Sequence, residues 1–393
     1  MKRLALAAAL AACAALSPAP SRAVTADGAM WNATSVGEVG YLPLEDLRSF
    51  YKLMPLPQPE SGTRAIGNGE TTLVFGPGAR ELKVNGIRFI LSHPVKDVVT
   101  NSDLLISKQD MVKLVDPVLR PTYIANRRLV KSVVIDPGHG GHDAGTVTPY
   151  AREADVALIV ANKLAEELRR RGFHAVLTHD ANRYQSDQQR VDAAGEALNP
   201  IFISLHTNSG RSDISGVETY TVVPAEAEGK SLPGNENDAA NIALALALHS
   251  SLVKQCGAKD GACRRMHYSL LSSLNCPAAR VELGYATNPQ EGALLSTDVY
   301  QSRMATALAD GIERFAGLMN PDTVLQQTAV SAPPAPEPPA DPVKVDAGKQ
   351  QPPAADTNKN AKGKKPAGNT TRKTATKPQP ASTKKPAGNT RRR

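Results

Sequence analysis

Between Lys131 and Leu318 short β-branched apolar runs alternate with stretches of helical period, and few folds accommodate that order. The apolar runs are Ser132–Ile135, Ala175–Thr178, Ile201–Leu205, Val217–Val223 and Arg280–Leu283. Helical segments follow Glu153, lie near Gln188–Leu198, and start at Asp238 and Asp298. In the segment after Glu153, Val156, Val160, Leu164 and Leu168 recur every four residues as one stripe of an amphipathic helix. Arg169–Arg171 and Gly172 then form a charged stop. Strands alternating with helices predict an α/β domain: a mainly parallel, twisted sheet with helices on both faces. A stretch of roughly 190 residues can bury one such core.

The same elements carry the chemistry. The run Val133–Ile135 ends on Asp136, Pro137 and Gly138, which stop a strand. His139 is thereby left at the strand's carboxyl edge, where open α/β sheets bind ligands. PIFISLHTNSG, from Pro200, places His206 at the end of another apolar strand in the same way. Glu153 sits in or just before the first turn of its helix, where an acid also serves simply to offset the helix dipole. Two imidazoles and a carboxylate with an open fourth position form a recurring catalytic zinc arrangement. In AARVELGYATNPQE, from Ala278, Glu282 falls inside an apolar strand. An acid there is costly unless it is paired, with Arg280 or Arg265 as partners, or unless it works as a general base beside a metal-bound water.

The ordered set D-P-G-H-G-G, E-A-D-V, S-L-H-T-N and V-E-L-G-Y-A-T-N-P-Q-E resembles the zinc-dependent N-acetylmuramoyl-L-alanine amidases, the type 3 bacterial cell-wall and cell-division amidases. The resemblance covers roughly Lys131 to Leu318, about half the chain. It implies a zinc amidase fold of the phosphorylase/hydrolase-like kind. It implies Zn2+ held by His139, Glu153 and His206, with Glu282 as catalytic acid/base. The implied reaction is hydrolysis of the amide between N-acetylmuramic acid and L-alanine in peptidoglycan, for wall remodelling and daughter-cell separation. The alternatives are another zinc peptidoglycan hydrolase, such as a carboxypeptidase, and a catalytically inactive wall-binding protein.

The chain also departs from that family. Thr178, His179 and Asp180 stand where the family usually has Thr-Arg before an Asp, a change expected to alter local pairing more than chemistry. His142 is expected to be a solvated loop residue, and His174, His249 and His267 structural or surface histidines. Some division amidases carry a long helix after the strand equivalent to Val217–Val223, which blocks the metal site. Pro224 to about Asp238 is too short and too poorly helical for such a helix, so an open site is expected. Glu236 is the acid of that loop with reach toward the metal.

The flanks differ in kind. MKRLALAAALAACAALSPAPSRA puts two cations before an Ala-rich apolar core too short to span a bilayer as a mature helix. Residues 1–23 therefore read as an export signal cleaved after Ala23, with a lipoprotein site at Cys13 as the alternative. Export to the periplasm or cell envelope follows. In an oxidising compartment a Cys256–Cys263 bridge would close the polar loop QCGAKDGAC; the alternative is three free thiols including Cys276. None of these cysteines has metal-ligand spacing with a His.

Residues 24–130 read as a small α+β module. It holds YLPLEDLRSFYKLM, a strand TTLVF and a hairpin about Asn85-Gly86. DLLISKQDMVKLV then repeats the strand-then-helix plan. The module resembles those at the N-termini of copper amine oxidases and on many exported amidases, which implies wall binding or spacing. Residues 319–393 turn rich in Pro, Ala and Lys, with KKPAGNT at Lys364 and again at Lys384, and cannot bury enough apolar surface to fold. From Lys359 to Arg393 there are twelve Lys and Arg and no acid; taking those twelve from 46 leaves 34 basic residues against 38 acidic. The tail, not the folded part, makes the chain basic. On an exported protein that tail suits anionic envelope polymers or a membrane surface rather than nucleic acid, or else a solubilising spacer. The partner expected of the folded part is peptidoglycan, met by a monomer.

Overall fold

The computed structural model describes residues 21–24, 30–98, 103–225 and 231–322. The expected signal core with Cys13, and the basic tail, lie outside them. The first region comprises β1 (Ser21–Val24), β2 (Met30–Val36), β3 (Val39–Pro43), α1 (Leu44–Phe50), β4 (Met54–Leu56), β5 (Arg64–Gly67), β6 (Thr72–Phe75), β7 (Glu81–Val84), β8 (Ile87–Ile90), β9 (Lys96–Val98) and β10 (Asp103–Ser107). It closes with α2 (Lys108–Asp110), a π turn at Met111–Val115, and α3 (Asp116–Leu119). The hairpin expected about Asn85-Gly86 joins β7 to β8, with φ of 50° and 83° at its two corner residues. Both angles are positive, as a type I′ turn requires.

The second region runs β11 (Ser132–Pro137), α4 (Glu153–Arg170), β12 (His174–Leu177), α5 (Asp187–Gly195), β13 (Pro200–Asn208) and β14 (Val217–Val222). It continues with α6 (Asp238–Cys256), β15 (Asp260–Met266), α7 (Ser269–Ser272), β16 (Ala278–Tyr285), α8 (Pro289–Leu295) and α9 (Asp298–Met319). Strands β12, β11, β13 and β16 are parallel neighbours, and β14 joins β16 antiparallel. The predicted α/β class and mainly parallel sheet are therefore present. Strand β15 was not expected from sequence: its segment, DGACRRM, is too polar to signal a strand. It is a strand because β14 and β8 pair with it on either side, a tertiary environment overriding propensity. Through β15 the sheet runs on into the first region, in the order β12-β11-β13-β16-β14-β15-β8-β7-β6-β5-β4.

Side-chain alternation sorts this sheet into two faces. Val133, Ile135, Ile201, Ile203, Leu205, Val281 and Leu283 enter one core with the apolar stripes of α4, α6 and α9. Val134, Phe202, Ala278 and Val222 point the other way, against Ala194 of α5 and Leu271 of α7. Toward the carboxyl ends of β11, β13 and β16 this second face turns polar: Asp136, Ser204, His206 and Glu282 are all buried there. Helix α6 serves two cores, with Leu244, Leu248 and Leu252 in the first and Ile242 and Ala245 in that of the N-terminal region.

Cys256, Cys263 and Cys276 are all buried and free, so the Cys256–Cys263 bridge weighed from sequence is not formed. Cys256 faces the core of the parallel sheet and Cys263 that of the N-terminal region, which separates the two thiols. Burial pushes the Cys256 thiol up to about 11 and that of Cys276 to about 12, so neither is a ready nucleophile. No helix among the described residues is long and apolar enough to cross a membrane.

Asp110 ties the two regions together. Its carboxylate is fully buried, accepts the amides of Ser92 (2.8 Å) and His93 (3.1 Å) and the hydroxyl of Ser107 (2.6 Å), and pairs with Arg265 of β15 at 3.3 Å. Removing one partner of a buried pair leaves the other charge uncompensated, at a cost of about 3–5 kcal/mol. Asp110→Ala is expected to lose that much in urea unfolding. A variant with the wild-type midpoint and slope would show that this contact contributes nothing to stability.

Candidate metal centre

Four segments deliver the site, and each is shaped locally to do so. The turn after β11 holds His139 at φ 65°, a left-handed backbone that is strained for a residue with a side chain. Arg190 of α5 keeps it there. Its guanidinium bonds the Asp136 carboxylate, the Pro137 carbonyl (2.8 Å) and the His139 carbonyl (3.0 Å). Helix α5 is in turn started by a capping box between Ser186 and Gln189. Two glycines make the space. A Cβ on Gly138 would lie 2.2 Å from the His206 ring, and one on Gly145 would lie 2.6 Å from His139 and 2.7 Å from Glu153.

Glu153 opens α4, where the helix dipole favours an anion. Its Oε1 lies 3.0 Å from His139 Nε2, 3.0 Å from His206 Nδ1 and 3.1 Å from the Thr207 amide; its Oε2 accepts the Thr146 amide at 2.9 Å. Burial by itself raises the Glu153 pKa, but the hydrogen bonds from the two imidazoles outweigh it and hold the carboxyl well below the usual range. The bond to Glu153, ahead of the opposing burial, raises the pKa of His139. Asp143 Oδ2 meets His139 Nδ1 at 2.8 Å, which leaves Nε2 turned toward the cluster. One ligand atom from each of His139, Glu153 and His206 lies within 4.8 Å of the other two. The three residues singled out from sequence thus converge, and their donor set of two imidazole nitrogens and a carboxylate oxygen fits a divalent metal.

Glu282 stands beside them. It is paired in register with His206 across β13 and β16. One oxygen, Oε1, accepts Arg280 Nε at 2.7 Å, while Oε2 is buried with no hydrogen-bond partner. Of the two partners considered from sequence, Arg280 takes Glu282 and Arg265 takes Asp110. Sequence reasoning missed a second acid here. Glu218 faces Glu282 across β14 and β16, and holds Asn208 (2.7 Å), Tyr220 (2.5 Å) and Arg264 (3.1 Å). Its signal was an acid inside the apolar run from Val217, the same signal that exposed Glu282. Sequence reasoning also missed Asp136 and Arg190, because nothing in α5 marks Arg190 as buried.

The other histidines stay outside the cluster. His142 is exposed and packs on Tyr184 at 4.4 Å between ring centres. His249 is buried between Thr219 (3.0 Å) and Asp260 (3.1 Å). His174 is exposed, 3.3 Å from the Ser132 hydroxyl. His179 is buried, its Nδ1 3.2 Å from the hydroxyl of Thr178, which bonds Asp136 at 2.8 Å. Glu236 is exposed and is not part of the ligand cluster.

Comparison with known proteins points the same way. The family described as N-acetylmuramoyl-L-alanine amidase matches residues 133–314. The uncharacterized protein YqiI of Bacillus subtilis (strain 168) is 29% identical over 185 residues, 47% of this chain and 84% of that protein. The probable cell wall amidase LytH of Staphylococcus epidermidis (strain ATCC 12228 / FDA PCI 1200) is 28% identical over 189 residues, 47% of this chain and 58% of LytH. The N-acetylmuramoyl-L-alanine amidase LytC of Bacillus subtilis (strain 168) is 28% identical over 182 residues, 46% of this chain and 34% of LytC. The chain thus spans about a third of LytC and about three-fifths of LytH.

The carboxylate behind His139 yields a test of the centre. Groups that orient a ligating imidazole typically contribute about 10–100-fold in metal affinity. Asp143→Ala is expected to weaken binding of a divalent metal by that factor in a chelator-competition titration, with the fold retained by circular dichroism. Unchanged affinity would remove Asp143 from the centre.

Proposed function

We propose, from the match of residues 133–314 to the N-acetylmuramoyl-L-alanine amidase family, that the chain is a zinc enzyme hydrolysing the amide between N-acetylmuramic acid and the L-alanine of peptidoglycan stem peptides. The observation that carries this reading is the convergence of His139, Glu153 and His206 beside a buried carboxylate oxygen of Glu282 that no protein group occupies. His139, Glu153 and His206 would hold zinc, which would supply a nucleophile at neutral pH and polarise the amide carbonyl. Glu282 Oε2 is free to accept the proton of the attacking water and return it to the departing alanine amine. Arg280 occupies the other Glu282 oxygen and so decides which one does this work. Asp143 and Glu153 orient His139, and His139 and His206 line the pocket by which the substrate reaches the cluster. Amides are weak electrophiles, and the reaction needs both the metal and the acid.

The cellular setting belongs to the same proposal. The cation-led apolar segment at the N-terminus supports export to the periplasm or envelope, and wall remodelling at division is the process this activity serves. The lysine-rich tail supports attachment to anionic envelope polymers or a membrane surface. The enzyme acts as a monomer on peptidoglycan.

The purified protein, loaded with zinc and given peptidoglycan with no partner added, is expected to release intact stem peptides bearing a free L-alanine amine, read by mass spectrometry. Release of D-alanine alone would replace the amidase with a carboxypeptidase. His139→Ala and His206→Ala are expected to lose the metal. Glu282→Gln is expected to keep the metal and lose activity by about a hundredfold or more, the scale of a general base. A Glu282→Gln enzyme working at the wild-type rate would end the acid/base assignment.

A further inference from the structure

Arg280 does more than hold Glu282. It precedes Glu282 by two residues on β16, on the same face, and lies opposite Ser204 on β13 and Tyr220 on β14. It lines the same pocket as His139 and His206. Its guanidinium is fixed from two sides: Nε donates to Glu282 at 2.7 Å, and the central carbon sits 4.6 Å from the Tyr268 ring centre. The two terminal amino groups make no hydrogen bond to any described residue, and neither is among the buried polar atoms without a partner. They therefore face the open pocket, consistent with a side chain 23% exposed.

The other charged groups of the pocket are already committed. Arg190 uses its nitrogens on the Gln185, Pro137 and His139 carbonyls and on Asp136. Asp136 is further held by Thr178 and Ser204, Asp143 by His139, and Asp187 by Ser269. Arg280 is thus the arginine lining the pocket that has donors to spare. A planar guanidinium with two outward N–H groups matches a carboxylate in a bidentate pair, and stacking on an aromatic ring pre-organises it for that task.

We propose that Arg280 is a specificity residue that binds a free carboxylate on the peptide side of the scissile amide; this rests on the amidase reading above. In a stem whose second residue is glutamate joined through its side-chain carboxyl, the α-carboxylate remains free one residue beyond the alanine. Residues two apart on a strand are about 7 Å apart, and successive Cα atoms of a peptide are about 3.8 Å apart. With the amide at Glu282, that carboxylate falls within reach of the guanidinium.

The test uses the full-length zinc-loaded protein and two substrates differing at that group alone: N-acetylmuramyl-L-alanyl-D-glutamate and its α-carboxamide, the D-isoglutamine form. The wild type is expected to prefer the acid by roughly tenfold or more in kcat/KM, mainly through KM, the scale of charge-assisted hydrogen bonds. Arg280→Gln is expected to bring the ratio to about one, and Arg280→Lys to retain part of it. Any loss of Glu282 positioning slows both substrates equally and leaves the ratio untouched. Equal handling of the two substrates by the wild type overturns the proposal. So does a preference that survives in Arg280→Gln with normal zinc content and melting temperature. If the dipeptides bind without turnover, their inhibition constants against peptidoglycan hydrolysis supply the same ratio. A zinc-loaded wild type that cleaves neither the dipeptides nor peptidoglycan removes the amidase reading itself.

Discussion

Burying the Glu153 carboxylate in its ionised form costs several kcal/mol, and the fold offsets that cost from several directions. The helix beginning at Glu153 contributes its dipole, the amides of Thr146 and Thr207 donate hydrogen bonds, and the two imidazoles close the remaining sides. The partners come from the turn after β11, from the loop before α4 and from β13. The carboxylate therefore fixes the entry of α4 against the ends of β11 and β13, and the candidate metal ligands are positioned by the same contacts that make the acid tolerable.

A second buried pair performs the equivalent service for the loop. His139 occupies a backbone conformation that a side chain disfavours, and the restoring tendency is opposed by Arg190, which binds one carboxylate and two carbonyls of the same turn. Asp136 completes the arrangement by accepting from Thr178, just past the end of β12, and from Ser204 on β13. The strain lies at the residue that presents the imidazole and is held by a network within the sheet face. Gly138 and Gly145 matter for a different reason, since any side chain there would fill the space between the imidazoles and the carboxylate.

Much of this was legible before the structure. His139 and His206 follow apolar runs, Glu153 begins a four-residue stripe, and Glu282 interrupts an alternating strand; each signal is local. What was not legible depends on contacts between distant segments. Arg190 sits in a helix with little apolar pattern, and only tertiary packing shows that it is buried. Strand β15 is mostly polar and exists because β14 and β8 flank it. Glu218 carried the same local signal as Glu282 but lacked a motif to draw attention to it. Two cysteines close in sequence suggested a bridge, yet the chain between them passes from one core to another.

The position of the site follows from where the sheet face turns from apolar to polar. On the sheet face opposite α4, α6 and α9, the first half of each strand offers Val134, Phe202 and Ala278, and α5 and α7 cover them. Two residues further along the positions become Asp136, Ser204 and Arg280, and two further again His206 and Glu282. Over that second half the cover has to satisfy charges rather than bury apolar area, and it does: Arg190 of α5 pairs with Asp136, which also accepts from Ser204. His206 and Glu282 stay buried there, while His139 and Arg280 are partly exposed where they line the pocket. The change from apolar to polar within single strands determines where the core ends and where the chemistry starts.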